Sequence, residues 1–436
     1  MNVLIIGGGG REHALGWKIA QSPSCQKLYF LPGNAGTAAI GENIALKLGE
    51  INTKSCDEIA RFCRDHAVEL VVIGPEDPLA AGLADELEKR KLKVFGVGAA
   101  AARLEADKAW SKKLMRQAAV PTAEARVFTD ANQALAYVEA HETPLVVKAA
   151  GLAKGKGVIV TDSPQEAADA VRRVMIDREF GEAGDIVVIE ERLVGQEVSI
   201  LALVDGETIL VLEPSQDHKQ VGEGDTGPNT GGMGAYTPTP LVTPEVMAEI
   251  EGQVLLPTLS GLRRENIDFR GVLYAGLMLT AGGPKVLEYN CRFGDPECQP
   301  LLVRMKGDLL AALLATCERT LDGGSVNLSW DDRVACCVVM CSGGYPGSYE
   351  TGLPISGLEE AGKMPGVHIF HAGTALQDGK VVTSGGRVLS VVGLGRDLAE
   401  AQERANAACE LIHFDGAFFR RDIGNRVLGE RPVGTS

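Results

Sequence analysis

Short apolar runs alternate with helical stretches through the first 104 residues, and this alternation constrains the fold most strongly. The runs at 3–6, 27–31, 70–73 and 94–96 have the length of buried strands. Apolar strands separated by helices are typical of a parallel sheet that is covered on both faces. We therefore predict an α/β, Rossmann-like domain with a doubly wound parallel sheet over residues 1–104.

The pattern changes after residue 104, which indicates further domains in a chain of 436 residues. Residues 105–190 combine helices with an antiparallel hairpin, and residues 191–328 contain longer antiparallel strands. Residues 329–436 contain three more strands and an amphipathic helix at 397–411. We predict four domains with these limits, of which the second and the fourth are small α+β units.

Composition and charge exclude several classes of function. The net charge of −15 leaves no general affinity for nucleic acid or anionic membranes, and no apolar run approaches the roughly 18 residues of a membrane span. The first residues lack the basic leader of a signal peptide, and ten cysteines without a C-x-x-C pattern indicate reduced thiols. We expect a cytoplasmic protein that binds phosphates through local lysines, backbone N–H groups and metal ions.

Four consecutive glycines, 7–10, follow the first strand, as in a dinucleotide-binding turn. That motif needs a third glycine where the helix packs on the strand, and Glu12 takes its place here. The segment 31–34 also lacks the acidic residue that would bind the ribose. We expect a phosphate site instead of NAD, because a glycine-rich turn that opens a helix presents free N–H groups to an anion.

Three strand ends, at 8–13, 33–37 and 74–77, should meet at the carboxyl edge of the parallel sheet, where ligands bind in such folds. We predict that this edge binds a small phosphorylated substrate. The residues predicted to bind it are Gly10, Arg11, Glu12, Asn34, Gly36, Thr37, Pro75 and Glu76.

The segment 146–160 places lysines among glycines between two β-branched runs. It is not a Walker A loop, because the glycine spacing is wrong and a strand follows it instead of a helix. A glycine-rich hairpin can still fold over a triphosphate with its N–H groups and lysines. The residues predicted to do so are Lys148, Lys154, Gly155, Lys156 and Gly157.

A charged strand end at 189–197 follows the hairpin. Glu190 is expected near the amino group of an adenine, and Glu197 is expected to accept from ribose hydroxyls. Glu191 lies on the same segment and is included among the residues predicted to bind the nucleotide.

Glu288 and Asn290 stand two residues apart on a predicted strand, so their side chains share one face, separated by about 7 Å along it. Two oxygen ligands on one face suit Mg²⁺, which keeps waters and bridges phosphate oxygens. Arg292 follows on the same side and is expected to pair with a carboxylate or with a transferring phosphoryl group.

Taken together, the lysine–glycine hairpin, the acidic segment and the E-x-N strand resemble the ATP-grasp superfamily, in which ATP lies between two antiparallel sheets. Within it, the chain resembles the phosphoribosylamine–glycine ligases, also called glycinamide ribonucleotide synthetases. The motifs that carry this resemblance are GGGGREHA at 7–14, PGNAGT at 32–37, GPEDPL at 74–79, DHKQ at 217–220, GPNTGGMGAYTP at 227–238 and RFGDPECQ at 292–299.

The resemblance implies a pre-ATP-grasp domain, a two-lobed ATP-grasp fold with its lobes at 105–190 and 191–328, and a C-terminal domain. It implies that glycine, 5-phosphoribosylamine and ATP give glycinamide ribonucleotide, ADP and phosphate through glycyl phosphate, with Mg²⁺ or Mn²⁺. Monomers or weak homodimers are expected, and the glycine-rich segment 222–234 and the hairpin tip 151–157 are expected to act as lids.

The resemblance also implies roles for individual residues. Lys108 and Lys148 would contact the ATP phosphates, Glu190, Val194 and Glu197 would hold adenosine, and Glu288 and Asn290 would hold the metal. The residues implied at the glycine and amine end are Asp217, Lys219, Asn229, Arg292, Gly294 and Asp295, with Lys148, Arg292 and Asp295 as the catalytic group. His13 could touch substrate, and His218 is expected to orient its loop.

Three alternatives stay open at this point. One is another ATP-grasp carboxylate–amine ligase or a carboxylase, which bicarbonate or biotin would stimulate. A second is a NAD-dependent dehydrogenase that uses the first domain. The third is a nucleotide sensor that binds ATP without turning it over.

Overall fold

The computed structural model describes residues 1–46, 49–153, 155–324 and 326–429. The first hundred residues form the predicted parallel sheet, and all of its strand pairs are parallel. It has five strands, the four predicted ones and the short strand Glu42–Asn43. In sheet order, the strands are Glu42–Asn43, Lys27–Pro32, Asn2–Gly7, Val68–Ile73 and Val94–Phe95. The main helices between and after them are Gly10–Ile19, Thr53–Asp65, Glu76–Ala80, Leu83–Lys89 and Ala99–Ala106.

A four-stranded antiparallel sheet follows and contains the predicted hairpin. Its strands, in sheet order, are Ala125–Phe128, Val187–Glu191, Leu145–Ala149 and Val158–Val160. The helices are Lys108–Gln117, which Asp107 caps, Ala131–Glu139 and Pro164–Val171, which continues as a wider turn through Arg172–Ile176. This lobe has an apolar cluster of its own, drawn from residues 134–189.

The next antiparallel sheet also has four strands and matches the prediction closely. In sheet order, these are Ile209–Val211, Gln196–Asp205, Arg270–Thr280 and Gly283–Asn290. A continuous helical stretch, Pro244–Ile250, Glu251–Leu255 and Leu256–Arg264, precedes the long strand, and the helices Cys298–Arg304 and Leu309–Glu318 follow.

The last sheet combines C-terminal strands with a hairpin from the middle of the chain. In sheet order, its strands are Gln216–Gly222, Thr226–Thr237, Val334–Cys341, Arg387–Gly395 and Val367–His371, all antiparallel. Two short ladders, Met305–Lys306 with Ser329–Trp330 and Thr374–Gln377 with Lys380–Thr383, and the helices Leu358–Gly362, Leu398–Leu411 and Asn425–Leu428 complete this part.

The hairpin 216–237 departs from the sequence prediction. No strand is predicted from the sequence for the glycine-rich segment 222–234, which is expected only as a lid. Much of this segment is strand, and that strand pairs with Val334–Cys341, within the limits predicted for the fourth domain. Glycine-rich sequence weakens a strand signal, and the pairing partner is about a hundred residues away, so local pattern could not find it. The predicted domain limits and the lid function stay predictions.

Large parts of the chain share one apolar core. Val3 of the first sheet, Leu203 of the third and Val391 of the last belong to the same buried cluster. By contrast, the buried apolar residues of the small lobe between 134 and 189 form a separate cluster, while Leu114 and Met115 of its first helix belong to a cluster shared with the parallel sheet and the large sheet. Within the described residues, no helix is long and apolar enough to cross a membrane.

Backbone contact between two loops aligns the carboxyl edge of the parallel sheet. A Cβ at Gly8 would lie 2.5 Å from the carbonyl oxygen of Gly33, so Gly8→Ala must push the loops apart. We expect the free energy of unfolding to fall by about 1–3 kcal/mol, measured by urea denaturation. The control is Gly252→Ala, where a Cβ meets nothing within 4 Å and a helical alanine should stabilise by up to about 1 kcal/mol. Equal stabilities for the two variants would contradict the expectation.

Candidate active site

A buried carboxylate between two lysines lies where the small lobe meets the large sheet. Glu190 Oε2 is 2.9 Å from Lys148 Nζ, and Glu190 Oε1 is 3.1 Å from Lys112 Nζ. Lys148 and Glu190 are diagonal neighbours on adjacent strands, because Lys148 pairs with Val188. All three side chains are more than nine-tenths buried. Lys112 was missed from the sequence; it lies one helical turn after Lys108, on the same helix face.

Lys148 also connects the two sheets. Its ammonium donates to the carbonyl oxygen of Leu287 at 3.0 Å, next to Glu288 on the strand Gly283–Asn290. Lys108 donates to the carbonyl oxygen of Gly151 at 3.0 Å, and burial lowers its pKa although Glu288 opposes that shift. The predicted phosphate lysines and the predicted metal ligands therefore border the same cleft.

Glu288 and Asn290 satisfy the chemistry of a hard-cation site. Burial raises the pKa of Glu288, but the cations Lys219, Lys148 and Lys108 outweigh burial and lower it, so the carboxylate is ionised. The amide oxygen of Asn290 accepts from Arg292 at 3.3 Å. Within the described ranges, no group of three or more His, Cys, Asp or Glu side chains is arranged to hold a metal ion. A divalent cation would thus take two protein oxygens here and the rest from phosphate and water.

Arg292 pairs with two acids from the N-terminal region instead of standing free for substrate. Its guanidinium lies 3.2 Å from Glu76 and 2.9 Å from Glu105. Burial raises the pKa of Glu76, but Arg292 and Arg11 bring it down to about 2. Glu105, which also accepts from the backbone N–H of Cys291, was missed, because a lone acid in an alanine-rich helix carries no local signal.

The glycine run after the first strand differs from the expected open anion site. Glu12 Oε2 accepts from the backbone N–H of Gly9 at 2.7 Å, and its other oxygen accepts from Arg11 at 2.6 Å. The helix therefore caps its own amino end with the residue that replaces the third glycine. Arg11 still reaches into the cleft, where it donates to the carbonyl oxygen of Phe293 at 3.1 Å.

Asn34 forms the junction of the three strand ends that were predicted to meet. Its amide nitrogen donates to the carbonyl oxygens of Gly8 and His371, and its oxygen accepts from the N–H groups of Gly36 and Thr37. With these bonds made, the side chain is better suited to positioning the loops than to binding substrate. Pro75 lies at the start of the neighbouring helix, next to Glu76.

His13 is buried at the same edge and stays neutral. Its Nδ1 accepts from the backbone N–H of His371 at 2.9 Å, and burial, followed by His371, lowers its pKa to about 3. A proton-transfer role for His13 is therefore disfavoured, and its ring contacts Gly36.

Asp217 and Lys219 stand on one face of the strand Gln216–Gly222, towards the cleft. Lys219 lies 3.3 Å from Glu197 and 3.8 Å from Glu288, so it joins the expected ribose and metal ligands. Burial raises the pKa of Asp217 to about 6, with Lys219 opposing the shift and Glu297 adding to it. Asn229 pairs with Gln220 across the hairpin.

Asp295 is held by residues that sequence reasoning missed. Gln299 donates to its Oδ1 at 2.9 Å, and Arg387 from the C-terminal sheet lies 3.3 Å from its Oδ2. Gly294 permits the close turn, because a Cβ there would lie 2.4 Å from Glu297 Oε2. Arg387 had no cue in its own strand, since only the fold brings residues 295 and 387 together.

The hairpin tip contacts the C-terminal half of the protein. Lys156 donates to the carbonyl oxygen of Pro346 at 2.9 Å, and a Cβ at Gly155 would meet the carbonyl oxygen of Thr230 at 3.1 Å. Gly157 packs beside Ala149 and Ala153. Lys154, also predicted here, lies outside the described residues.

Among the contacts of the described residues, two residues of the acidic segment make no hydrogen bond or ion pair with the lysines Lys108, Lys112 and Lys148. Glu191 pairs with Lys285 at 3.2 Å and accepts from the N–H of Glu124, and Val194 is 82% exposed. Their predicted nucleotide contacts stay predictions, while Glu190 and Glu197 face the lysines of the cleft.

Comparison with known families matches the chain in three consecutive segments. These are the phosphoribosylglycinamide synthetase N domain over residues 1–105, its ATP-grasp (A) domain over 106–298 and its C domain over 335–426.

Full-length relatives agree with these matches. The chain is 48% identical to the phosphoribosylamine–glycine ligase of Rhodopirellula baltica, covering 98% of both chains. It is 49% identical to the trifunctional purine biosynthetic protein adenosine-3 of Gallus gallus, of which it spans 42%. Among solved structures, phosphoribosylamine–glycine ligase from Thermotoga maritima aligns with a TM-score of 0.82 and 34% identity, over 97% of this chain and 100% of that one.

The buried Glu190 generates a stability prediction. Replacing it in Glu190→Gln leaves two buried ammonium groups without a counter-charge, which costs about 3–5 kcal/mol of unfolding free energy. The neighbouring Glu191→Gln changes a half-exposed pair and should cost less than about 1 kcal/mol. Guanidinium denaturation of both variants measures the difference, and a loss for Glu190→Gln no larger than that for Glu191→Gln would show that the triad does not stabilise the fold.

Proposed function

The chain belongs to the phosphoribosylglycinamide synthetase family, and on this premise we propose that it joins glycine to 5-phosphoribosylamine with ATP. The products are glycinamide ribonucleotide, ADP and phosphate, and the reaction is a step of purine biosynthesis. The observation that supports this most directly is the contact of Lys148 with Leu287, which brings the phosphate-binding lysines beside Glu288 and Asn290.

ATP takes the cleft between the small lobe and the large sheet. Lys108 and Lys148 neutralise its phosphates, while Glu190 and Glu197 stand at the adenosine end. Glu288 and Asn290 would hold Mg²⁺ or Mn²⁺, which would supply positive charge to neutralise the phosphates. Binding a polyanion beside Lys148 gives that lysine a second negative partner besides Glu190.

The ligation proceeds in two displacements and needs no nucleophilic side chain. A carboxylate oxygen of glycine attacks the γ-phosphorus, the bond to the bridging oxygen breaks, and ADP leaves. The amino nitrogen of phosphoribosylamine then attacks the carbonyl carbon of glycyl phosphate, loses a proton, and phosphate leaves. The protein contributes alignment and fixed positive charge, which are the main sources of acceleration in phosphoryl transfer.

Asp217 and Lys219 serve the glycine end. The buried carboxylate of Asp217 suits the ammonium group of glycine, and Lys219, next to Glu288, lies between that group and the phosphates. Asp295, fixed by Gln299 and Arg387, stands beside the incoming amine as the candidate proton acceptor.

Arg11 and the loops at the carboxyl edge of the parallel sheet bind the phosphoribosyl part of the second substrate. Arg11 is buried and faces Phe293, so the edge is continuous with the glycine end. Arg292 pairs with Glu76 and Glu105 and donates to the amide oxygen of Asn290. It therefore connects this edge with the proposed metal ligands.

Water must be kept from glycyl phosphate, since acyl phosphates hydrolyse. The part of the small lobe between residues 134 and 189 has its own apolar cluster, and its hairpin tip is the candidate lid. Lys156 at this tip donates to the carbonyl oxygen of Pro346, so the tip already contacts the C-terminal side.

Substrate dependence tests the proposed function. We expect ADP release only when glycine and freshly made phosphoribosylamine are both present with ATP and Mg²⁺ or Mn²⁺. With glycine labelled by ¹⁸O in its carboxylate, one labelled oxygen should appear in the released phosphate, as mass spectrometry can measure. Unlabelled phosphate would overturn the acyl-phosphate route, and stimulation by bicarbonate in place of glycine would favour a carboxylase.

The pKa of Asp217 generates a pH prediction. Because its native pKa of about 6 exceeds the roughly 3.9 of an exposed aspartate, the folded protein holds the proton longer. The stability from this group therefore declines as the pH rises from about 4 to about 6. We expect kcat/KM for glycine to decrease as the pH is lowered through about 6, because the carboxylate of Asp217 becomes protonated.

Asp217→Asn is the matching variant. It should remove that acid limb and lower kcat/KM for glycine at pH 8 by about 10- to 100-fold, as for the loss of a charged hydrogen bond. The pH profile of kcat/KM for ATP, measured with saturating glycine, is the control. A limb near pH 6 that persists in Asp217→Asn would assign it to another group.

A further inference from the structure

The C-terminal segment 420–426 packs against the hairpin 216–237 through charged side chains. Arg420 is 1% exposed, and its guanidinium donates to the carbonyl oxygen of Gln220 at 2.9 Å and to Asp225 at 3.0 Å. Asp422 receives the backbone N–H of Gly224 at 2.8 Å. Burial of an arginine requires partners for its charge and N–H groups. Gln220 and Asp225 of the hairpin supply two of them, and Asp422 of its own segment accepts from Nε and Nη2.

Arg426 makes the most direct link to the site. It forms a fork on Asp225, with its Nε 2.7 Å from Oδ2 and its Nη2 2.8 Å from Oδ1. Its third nitrogen donates to the carbonyl oxygen of Asp217 at 3.2 Å. Although burial raises it, the pKa of Asp225 is held below its usual range by His218 and Arg426.

His218 turns towards this segment and away from the cleft. Its Nε2 accepts from the backbone N–H of Gly424 at 2.9 Å, and its Nδ1 lies 3.6 Å from Asp225. Since successive strand residues face opposite sides, Asp217 and Lys219 project to the other face. One face of the strand Gln216–Gly222 therefore carries Asp217 and Lys219 of the proposed glycine end. The other face carries His218, which contacts the C-terminal segment.

These contacts with 420–426 matter because the central strand Val334–Cys341 pairs with only one end of the hairpin 216–237. The strand Val334–Cys341 pairs with residues 234–237 only, and the hairpin pairing shifts register on both sides of Gln220. Glycine residues 222, 224 and 227 add backbone freedom around the tip. Lys219 thus lies where the ladder is irregular, and the cross-links to 420–426 restrain the hairpin there in addition to the ion pairs of Lys219 with Glu197 and Glu288.

We propose that Arg426 is a positioning residue for the ligase reaction, holding Asp225 and the Asp217 backbone so that Asp217 and Lys219 keep their places at the glycine end. This role rests on the proposed function of the chain. Arg420 assists, because it donates to Asp225 Oδ1, which Arg426 also contacts, and to the carbonyl oxygen of Gln220. The C-terminal segment thereby takes part in substrate recognition without touching substrate.

Steady-state kinetics of Arg426→Ala, with Arg421→Ala as the matched control, test this role. Arg421 lies in the same segment, but its side chain is exposed and pairs with Glu410. We expect Arg426→Ala to raise the KM for glycine by about 10- to 100-fold, the effect of a small misplacement, while the KM for ATP changes by less than about twofold. Arg421→Ala should match the wild type for both.

Arg426→Lys covers the case in which the alanine variant fails to fold. Lysine keeps the charge but cannot form the fork, so its KM for glycine should lie between those of the wild type and Arg426→Ala. Hydrogen exchange at the amides of 217–229 should be faster in either variant than in Arg421→Ala.

Three results would overturn the role of Arg426. These are an unchanged KM for glycine in both Arg426 variants, an equal rise in the KM for ATP, or unchanged exchange at 217–229. Wild-type activity separates this outcome from failure of the proposed function. If the wild type releases ADP only with both substrates, the ligase assignment stands whatever the Arg426 variants do.

Discussion

The cleft depends on one buried interaction, the carboxylate of Glu190 between Lys112 and Lys148. Without it, two ammonium groups could not be kept in a dry interface. With it, Lys148 is held at the level of Leu287 in the facing sheet. The distance between the two sheets is therefore set by side chains that we propose to lie at the nucleotide site, and this would link the stability of the fold to the shape of that site.

The loop after the strand Gly283–Asn290 connects all parts of the site. Arg292 forms ion pairs with acids from the N-terminal region. The carbonyl oxygen of Phe293 accepts from Arg11, and Asp295 forms an ion pair with Arg387 of the C-terminal sheet. These contacts are buried and charged, so their geometry is specific. A joint of this kind keeps the segments that carry Arg11, Asn290 and Asp295 in register with one another.

Local pattern predicted the regular parts of the fold well. The parallel strands, the helix that begins at Lys108 and the lysine–glycine hairpin are all present, because their periodicity and caps are encoded in neighbouring residues. The hairpin 216–237 was missed, since glycine-rich strands depend on partners for their stability. Motif resemblance still identified Asp217 and Lys219, whose side chains do border the cleft.

The sequence by itself determined the fold class, the family and the chemical character of the site, because strand periodicity and the short motifs are local properties. Only the tertiary structure decided which charges meet. Glu12 caps its own helix, Arg292 pairs with Glu76 and Glu105, and Arg426 reaches Asp225 across two hundred residues. Such pairings depend on how the sheets pack and on which distant segments the fold brings together. Burial strengthens each of these electrostatic interactions, because the protein interior screens charges less than water does.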